Sequence, residues 1–224
     1  MLKILTITVI FFTIIPATAA LAQTSLPGPT DATTAPPATA NLVQKILTDG
    51  DKISLSAAAV SGNGYQWFKK DASGNMQLVQ QGDANTYTET AAGKGYYTYQ
   101  LVETNANGCT SIASDTFSIY VLPTLTASIT ATNGSVCEQG HSSSVLTATT
   151  ASDANYTYTY QWSKDGVVIP TATSNAYTVN ETTTGSKTFT VAVAYTLAPA
   201  KTTVATQTIN VIPVPAKPSI TAGL

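Results

Sequence analysis

The chain has 224 residues and a formal net charge of −2; charged residues make up only 10% of it and arginine is absent. Arginine is the usual bidentate partner of phosphate and guanine, so ten scattered lysines without it make a poor nucleic-acid surface. Two cysteines and one histidine are too few for a Cys/His metal cluster.

The N-terminus has the pattern of an export signal. Lys3 supplies the positive region and Ile4 to Ile15 the apolar run, and Pro16 ends that run. Ala20-Leu21-Ala22 before Gln23 fits a cleavage site, with Ala17-Thr18-Ala19 as a second candidate. The apolar run is about a dozen residues, short of the ~20 that cross a bilayer. The expectation is a signal peptide over 1–22, removed to leave a mature chain with no transmembrane segment. Its place would be outside the cell or on the cell surface.

Residues 23–41 are rich in Pro, Thr and Ala and lack apolar periodicity, so they read as a flexible leader. Period-two alternation then sets in at Lys52-Ile-Ser-Leu-Ser-Ala. Tyr65 to Lys69 is a second strand, with Tyr65 and Trp67 on one face. Asp71-Ala-Ser-Gly-Asn75 is a turn cluster. Short strands follow at Met76 to Gln80 and Thr86 to Glu89. Gly95 to Glu103 puts Tyr97, Tyr99 and Leu101 on one face, and Asn105-Ala-Asn-Gly108 is a hairpin signal. Thr110 to Val121 is the expected return strand. Its apolar parity changes between Ile112 and Phe117, which predicts a bulge or an irregular start.

The pattern then repeats. Tyr160-Gln-Trp162 matches Tyr65-Gln-Trp67 at an offset of 95, and Asn175 to Pro213 follows Asn85 to Pro123 at a constant offset of 90. The five-residue difference sits in the loop after the Trp strand. This is one module written twice, over 42–123 and 124–213. Neither copy has a helical period. Short β-branched and aromatic strands between close turns predict an all-β fold of two tandem immunoglobulin-like β-sandwiches. Residues 214–224 form a Pro-rich linker, and Ser219-Ile-Thr-Ala222 then repeats Ser128-Ile-Thr-Ala131, as if a third repeat were opening. Either the chain is part of a longer array, or the tail is a strand-forming peptide able to mediate self-association.

Several motifs resemble the bacterial immunoglobulin-like repeats of Bacteroidetes-type surface and secreted proteins. They are Tyr-Gln-Trp-x-Lys, Asn-x-Tyr-Thr, the Gly-x-Tyr-x-Tyr strand, Thr104-Asn-Ala-Asn-Gly-Cys109 and Ser135-Val-Cys-Glu138. The resemblance implies modules used as spacers, adhesins or enzyme appendages. In such families both cysteines often share one module. Here Cys109 falls in the first copy and Cys137 in the second. An intramolecular bridge, an intermolecular bridge and two free thiols stay open.

Residue roles follow from what the copies share. Trp67, Trp162, Tyr99 and Phe189 recur at matched positions and are expected in the cores. Tyr96, Tyr97, Tyr156 and Tyr158 are unmatched, which makes them the candidates for an exposed binding surface. His141 reads as a turn residue, because no nucleophile elbow or orienting acid accompanies it. Asp49-Gly-Asp51 and Asp71 to Asn75 lack the further spaced carboxylates of a calcium loop. No catalytic residue, metal site or cofactor is assigned. The expected function is that of an exported, non-enzymatic spacer, adhesion or assembly module with a protein or glycan partner at the cell surface. The alternative is a carbohydrate-binding accessory module of a secreted multidomain hydrolase.

Overall fold

The computed structural model describes residues 26–220 apart from 141, 151, 152 and 154. The expected signal peptide and the reading of His141 lie outside the described residues. Among those residues the structure is almost entirely β, with two 3-10 turns and no α-helix.

The first set of strands comprises β1 (Lys45–Thr48), β2 (Lys52–Ser56), β3 (Gly64–Lys70), β4 (Met76–Gly82), β5 (Thr86–Thr90), β6 (Gly95–Thr104) and β7 (Phe117–Leu122). One sheet has the order β1-β7-β6-β3-β4, and β2 pairs with β5 to form the other. The second set comprises β8 (Ala127–Ala131), β9 (Ser135–Cys137), β10 (Ser144–Thr150), β11 (Tyr158–Lys164), β12 (Val167–Val168), β13 (Ala176–Val179), β14 (Gly185–Tyr195) and β15 (Ala198–Ile212). Its sheets have the orders β12-β11-β14-β15-β9 and β13-β10-β8. The sets correspond strand for strand, down to the parallel pairings of β1 with β7 and of β9 with β15. Among the described residues only β8 has no counterpart.

Alternation decides which face is buried. In β3 every second residue points inward, which buries Tyr65, Trp67 and Lys69. Each set encloses its own core. Ile53, Trp67, Tyr87, Tyr97 and Tyr99 lie in the first; Leu146, Trp162, Phe189, Val191 and Ile209 lie in the second. Tyr87 stacks on Trp67 with centroids 6.2 Å apart, and Tyr177 stacks on Trp162 at 5.9 Å.

Among the stretches that differ from the sequence reading, two bear on the site. The return strand begins at Phe117, not Thr110. Before it, the Ser111 and Ser114 amides still donate to the Glu103 and Leu101 carbonyls, but the Glu103 and Leu101 amides turn to the Ser111 and Ser114 hydroxyls, so the ladder is irregular. Ile112 is thereby left exposed. The leader is also tied down. The Thr30 amide donates to the Tyr96 carbonyl at 2.7 Å, and the Tyr96 amide donates to the Asp31 carbonyl at 2.8 Å. The segment occupies the edge of β6 beyond the end of β3, where Thr30 Oγ1 donates to the Lys70 carbonyl at 2.8 Å. Sequence periodicity cannot show this, because the partner strand is more than sixty residues away. Gly95 admits the leader: its φ is +134°, and a Cβ there would stand 2.3 Å from the Asp31 carbonyl oxygen. Gly185, at the matching place in the second set, faces open space at φ +113°.

Candidate functional site

The four unmatched tyrosines part company in the structure. Tyr97 is fully buried in the first core. Its hydroxyl donates to the Gly93 carbonyl and accepts the Ala92 amide, both at 3.0 Å. This is the tyrosine corner of immunoglobulin-like folds, and Tyr99 stands two residues on, where antibody domains place their second cysteine. The expectation of an exposed Tyr97 is therefore corrected. It is unmatched because Lys187 replaces the corner in the second copy.

Tyr156 is also buried, at 7% exposure, and Tyr96 and Tyr158 are half-buried. These three converge with Tyr120 and Tyr195 into a third apolar cluster, completed by Val43 and Leu122. The cluster lies at the junction of the two strand sets. The reason for the burial is packing between copies, which no comparison of one copy with the other can show. Across the junction the Tyr120 and Tyr156 hydroxyls share a buried hydrogen bond of 2.9 Å. Tyr195 Oη donates to the Pro123 carbonyl at 3.2 Å. Ring edges interlock, with Tyr96 and Tyr120 centroids 4.8 Å apart and those of Tyr156 and Tyr195 5.3 Å apart. Such pairs are worth about 0.5–1.5 kcal/mol each beyond the area they bury.

Two ion pairs flank the tyrosines. Lys94 meets Asp153 at 2.7 Å and Lys201 meets Asp51 at 3.0 Å. All four side chains keep solvent contact, so the pairs orient the junction more than they hold it. The bond to Lys94 keeps the Asp153 carboxyl below its ordinary range, and the same bond raises Lys94. Burial pushes the Tyr195 phenol up to about 12 and raises Tyr120 and Tyr156 as well.

A second polar cluster escaped the sequence reading. Lys69 is 1% exposed; its ammonium donates to Glu89 at 2.8 Å and to the Leu26 carbonyl at 2.7 Å. Glu89 also accepts from the hydroxyls of Tyr87 and Tyr99. Burial lowers the Lys69 pKa, partly offset by Glu89. A buried lysine of this kind is a catalytic candidate in principle. However, the Lys69 ammonium and the Glu89 carboxylate are bonded to each other and to neighbouring groups, and in the second copy Lys164, which matches Lys69, pairs at 3.1 Å with Glu181, two residues past the match of Glu89. A lysine–glutamate pair at this strand end in both copies marks a structural role, with the lysine buried in the first copy and 40% exposed in the second. Its signal was present in the sequence: Lys69 has the inward parity of Tyr65 and Trp67, as Lys164 has that of Tyr160 and Trp162.

Trp67, Trp162, Tyr99 and Phe189 all lie in the cores, at 5% exposure or less. Cys109 is exposed on the β6–β7 turn, Cys137 is half-buried at the end of β9, and both thiols are free. Among the described residues no three His, Cys, Asp or Glu groups gather as a metal site, and no helix is long and apolar enough to cross a membrane.

Residues 35–123 match the model of a Bacteroidetes-type family, the Ig-like domain CHU_C associated family. No curated protein matches the chain. Among solved structures it is similar to the fibronectin(III)-like modules of Clostridium thermocellum CbhA, at 17% identity and a TM-score of 0.45, over 85% of this chain and 99% of that one. It is also similar to the N-terminal four Ig domains of Dscam1 isoform 1.9, at 16% identity and a TM-score of 0.34, over 75% of this chain and 43% of that one.

Proposed function

We propose that the chain is an exported, non-enzymatic pair of immunoglobulin-like domains, 42–123 and 124–213, acting as a rigid spacer at the cell surface. The immunoglobulin-like module fits a non-catalytic role. The observation that carries the spacer reading is the buried tyrosine junction. Two domains on a loose linker would leave their facing surfaces polar and wet. Here Tyr120, Tyr156 and Tyr195 are withdrawn from water and bonded across the boundary. A fixed angle between modules is what projection of an attached partner requires.

The carbohydrate-binding alternative needs exposed, coplanar aromatic rings. Its four candidate tyrosines are buried or half-buried, so that reading loses its support. A polysaccharide and glycan array with the purified chain should show no binding. Saturable binding to one glycan, lost on Tyr96→Ala, would replace the spacer reading. Protease treatment of intact cells of the producing organism should degrade the protein; full protection would contradict a surface location.

A further inference from the structure

In the second strand set, β8 covers the outer edge of β10, with Ala131 opposite Leu146 and Ile129 opposite Ala148. Ala127, Ile129 and Ala131 pack on the core beneath. In the first set β2 takes the place of β10. Leu55 faces Tyr87 as Leu146 faces Tyr177. The Ala57 amide donates to Asn85 at 2.8 Å, as the Ala148 amide does to Asn175 at 2.8 Å. Yet among the described residues β2 pairs with β5 alone, and Ser54 and Ser56 on it are exposed. A groove of about 570 Å³ runs beside this bare edge, lined by Leu55, Trp67, Tyr99, Leu101 and Phe117. Leu101 is half-buried there, whereas its counterpart Val191 is fully buried under the completed sandwich.

The chain carries a segment of matching chemistry. Ser219-Ile-Thr-Ala222 is identical to Ser128-Ile-Thr-Ala131, the last four residues of β8. Residues 213–220 join no strand, and Ile220 is 99% exposed. We propose that residues 219–222 of one copy add as an antiparallel strand to β2 of a second copy. The register follows β8: Ala222 opposite Leu55, Thr221 opposite Ser56, and Ile220 opposite Ala57, with its side chain in the groove. Backbone bonds to an open edge supply affinity, and the alternate side chains supply fit. Donor and acceptor are different surfaces, so every bound copy still offers one of each. The contact propagates head to tail into an open chain and does not close into a dimer.

The inference needs only the match between the strand sets and is independent of where the protein resides. The test is sedimentation velocity of the chain over a range of concentrations. The average mass should climb continuously with concentration and pass that of a dimer. Ile220→Asp alters a fully exposed side chain, so the fold survives it; it should weaken association roughly tenfold or more by removing the burial of one isoleucine. A synthetic peptide of residues 214–224 should bind the chain truncated after Pro213, and Ser56→Pro on β2 should abolish that binding. A monomer at every concentration, or association indifferent to Ile220→Asp, overturns the proposal. Either result leaves the spacer reading standing, because that rests on the tyrosine junction.

Discussion

Single residues set the strength of the junction. Tyr120→Phe leaves the buried Tyr156 hydroxyl without its partner, and the expected loss is about 1–2 kcal/mol in chemical denaturation. The double variant Tyr120→Phe with Tyr156→Phe should cost less than the sum of the singles, since both partners are then apolar. Strict additivity would mean that the hydrogen bond contributes nothing. Gly95 makes a sharper case. Gly95→Ala places a methyl against the Asp31 backbone, so the leader must leave the β6 edge. Limited proteolysis should then cut within residues 28–35 of the variant and spare the parent chain. Gly185→Ala meets only backbone strain, about 1–3 kcal/mol, and should change no cleavage pattern. Residue identity in the cores was legible from the repeat, because Trp67 and Trp162 must solve the same packing problem. Tyr97 and Tyr156 were not. One became a tyrosine corner and the other a junction residue, and mismatch between copies signals either role as readily as exposure.

At the scale of elements, one strand separates the two sets. β8 covers the second core, and Trp162 there is 0% exposed against 5% for Trp67. Trp→Ala should cost about 3–5 kcal/mol at either site, with Trp162→Ala at the upper end. Its indole also loses a 2.9 Å bond to the Ser174 carbonyl, against a 3.4 Å bond from Trp67 to Ala84. The ranking is read from urea midpoints of the two variants; a larger loss at Trp67 would contradict it. Most strands were legible from alternation: β2, β3, β5 and β6 sit within a residue or two of their expected ends. β1 and β9 were missed. Each is short and pairs in parallel with a distant strand, and neither alternates long enough to leave a signature. The start of β7 was also misplaced, because the Ser111 and Ser114 hydroxyls take the Glu103 and Leu101 amides and make the pairing there irregular.

Across the whole molecule, the tyrosine junction makes stability depend on pH at both ends of the scale. The folded Tyr195 phenol titrates near 12, above the ~10 of an unfolded tyrosine. The fold therefore favours the neutral ring. That stability is complete below about pH 10 and is lost as the pH rises toward 12. Thermal unfolding followed with phenolate absorbance should show the midpoint falling through this window, and Tyr195→Phe should flatten the fall. Asp153 acts in the opposite sense. Its folded pKa is depressed, so its contribution is present above about pH 4 and fades as acid protonates it. None of this was legible in a single module, since the junction exists only where two copies meet.

The central claim is that the junction holds the two strand sets at one fixed angle. Spin labels on exposed strand positions, Thr88→Cys on β5 and Thr206→Cys on β15, report it directly in a chain also carrying Cys109→Ser and Cys137→Ser. The account predicts a single narrow distance distribution. Adding Tyr120→Ala with Tyr156→Ala should broaden that distribution while each sandwich stays folded. A broad distribution in the chain with its tyrosines intact would contradict the claim.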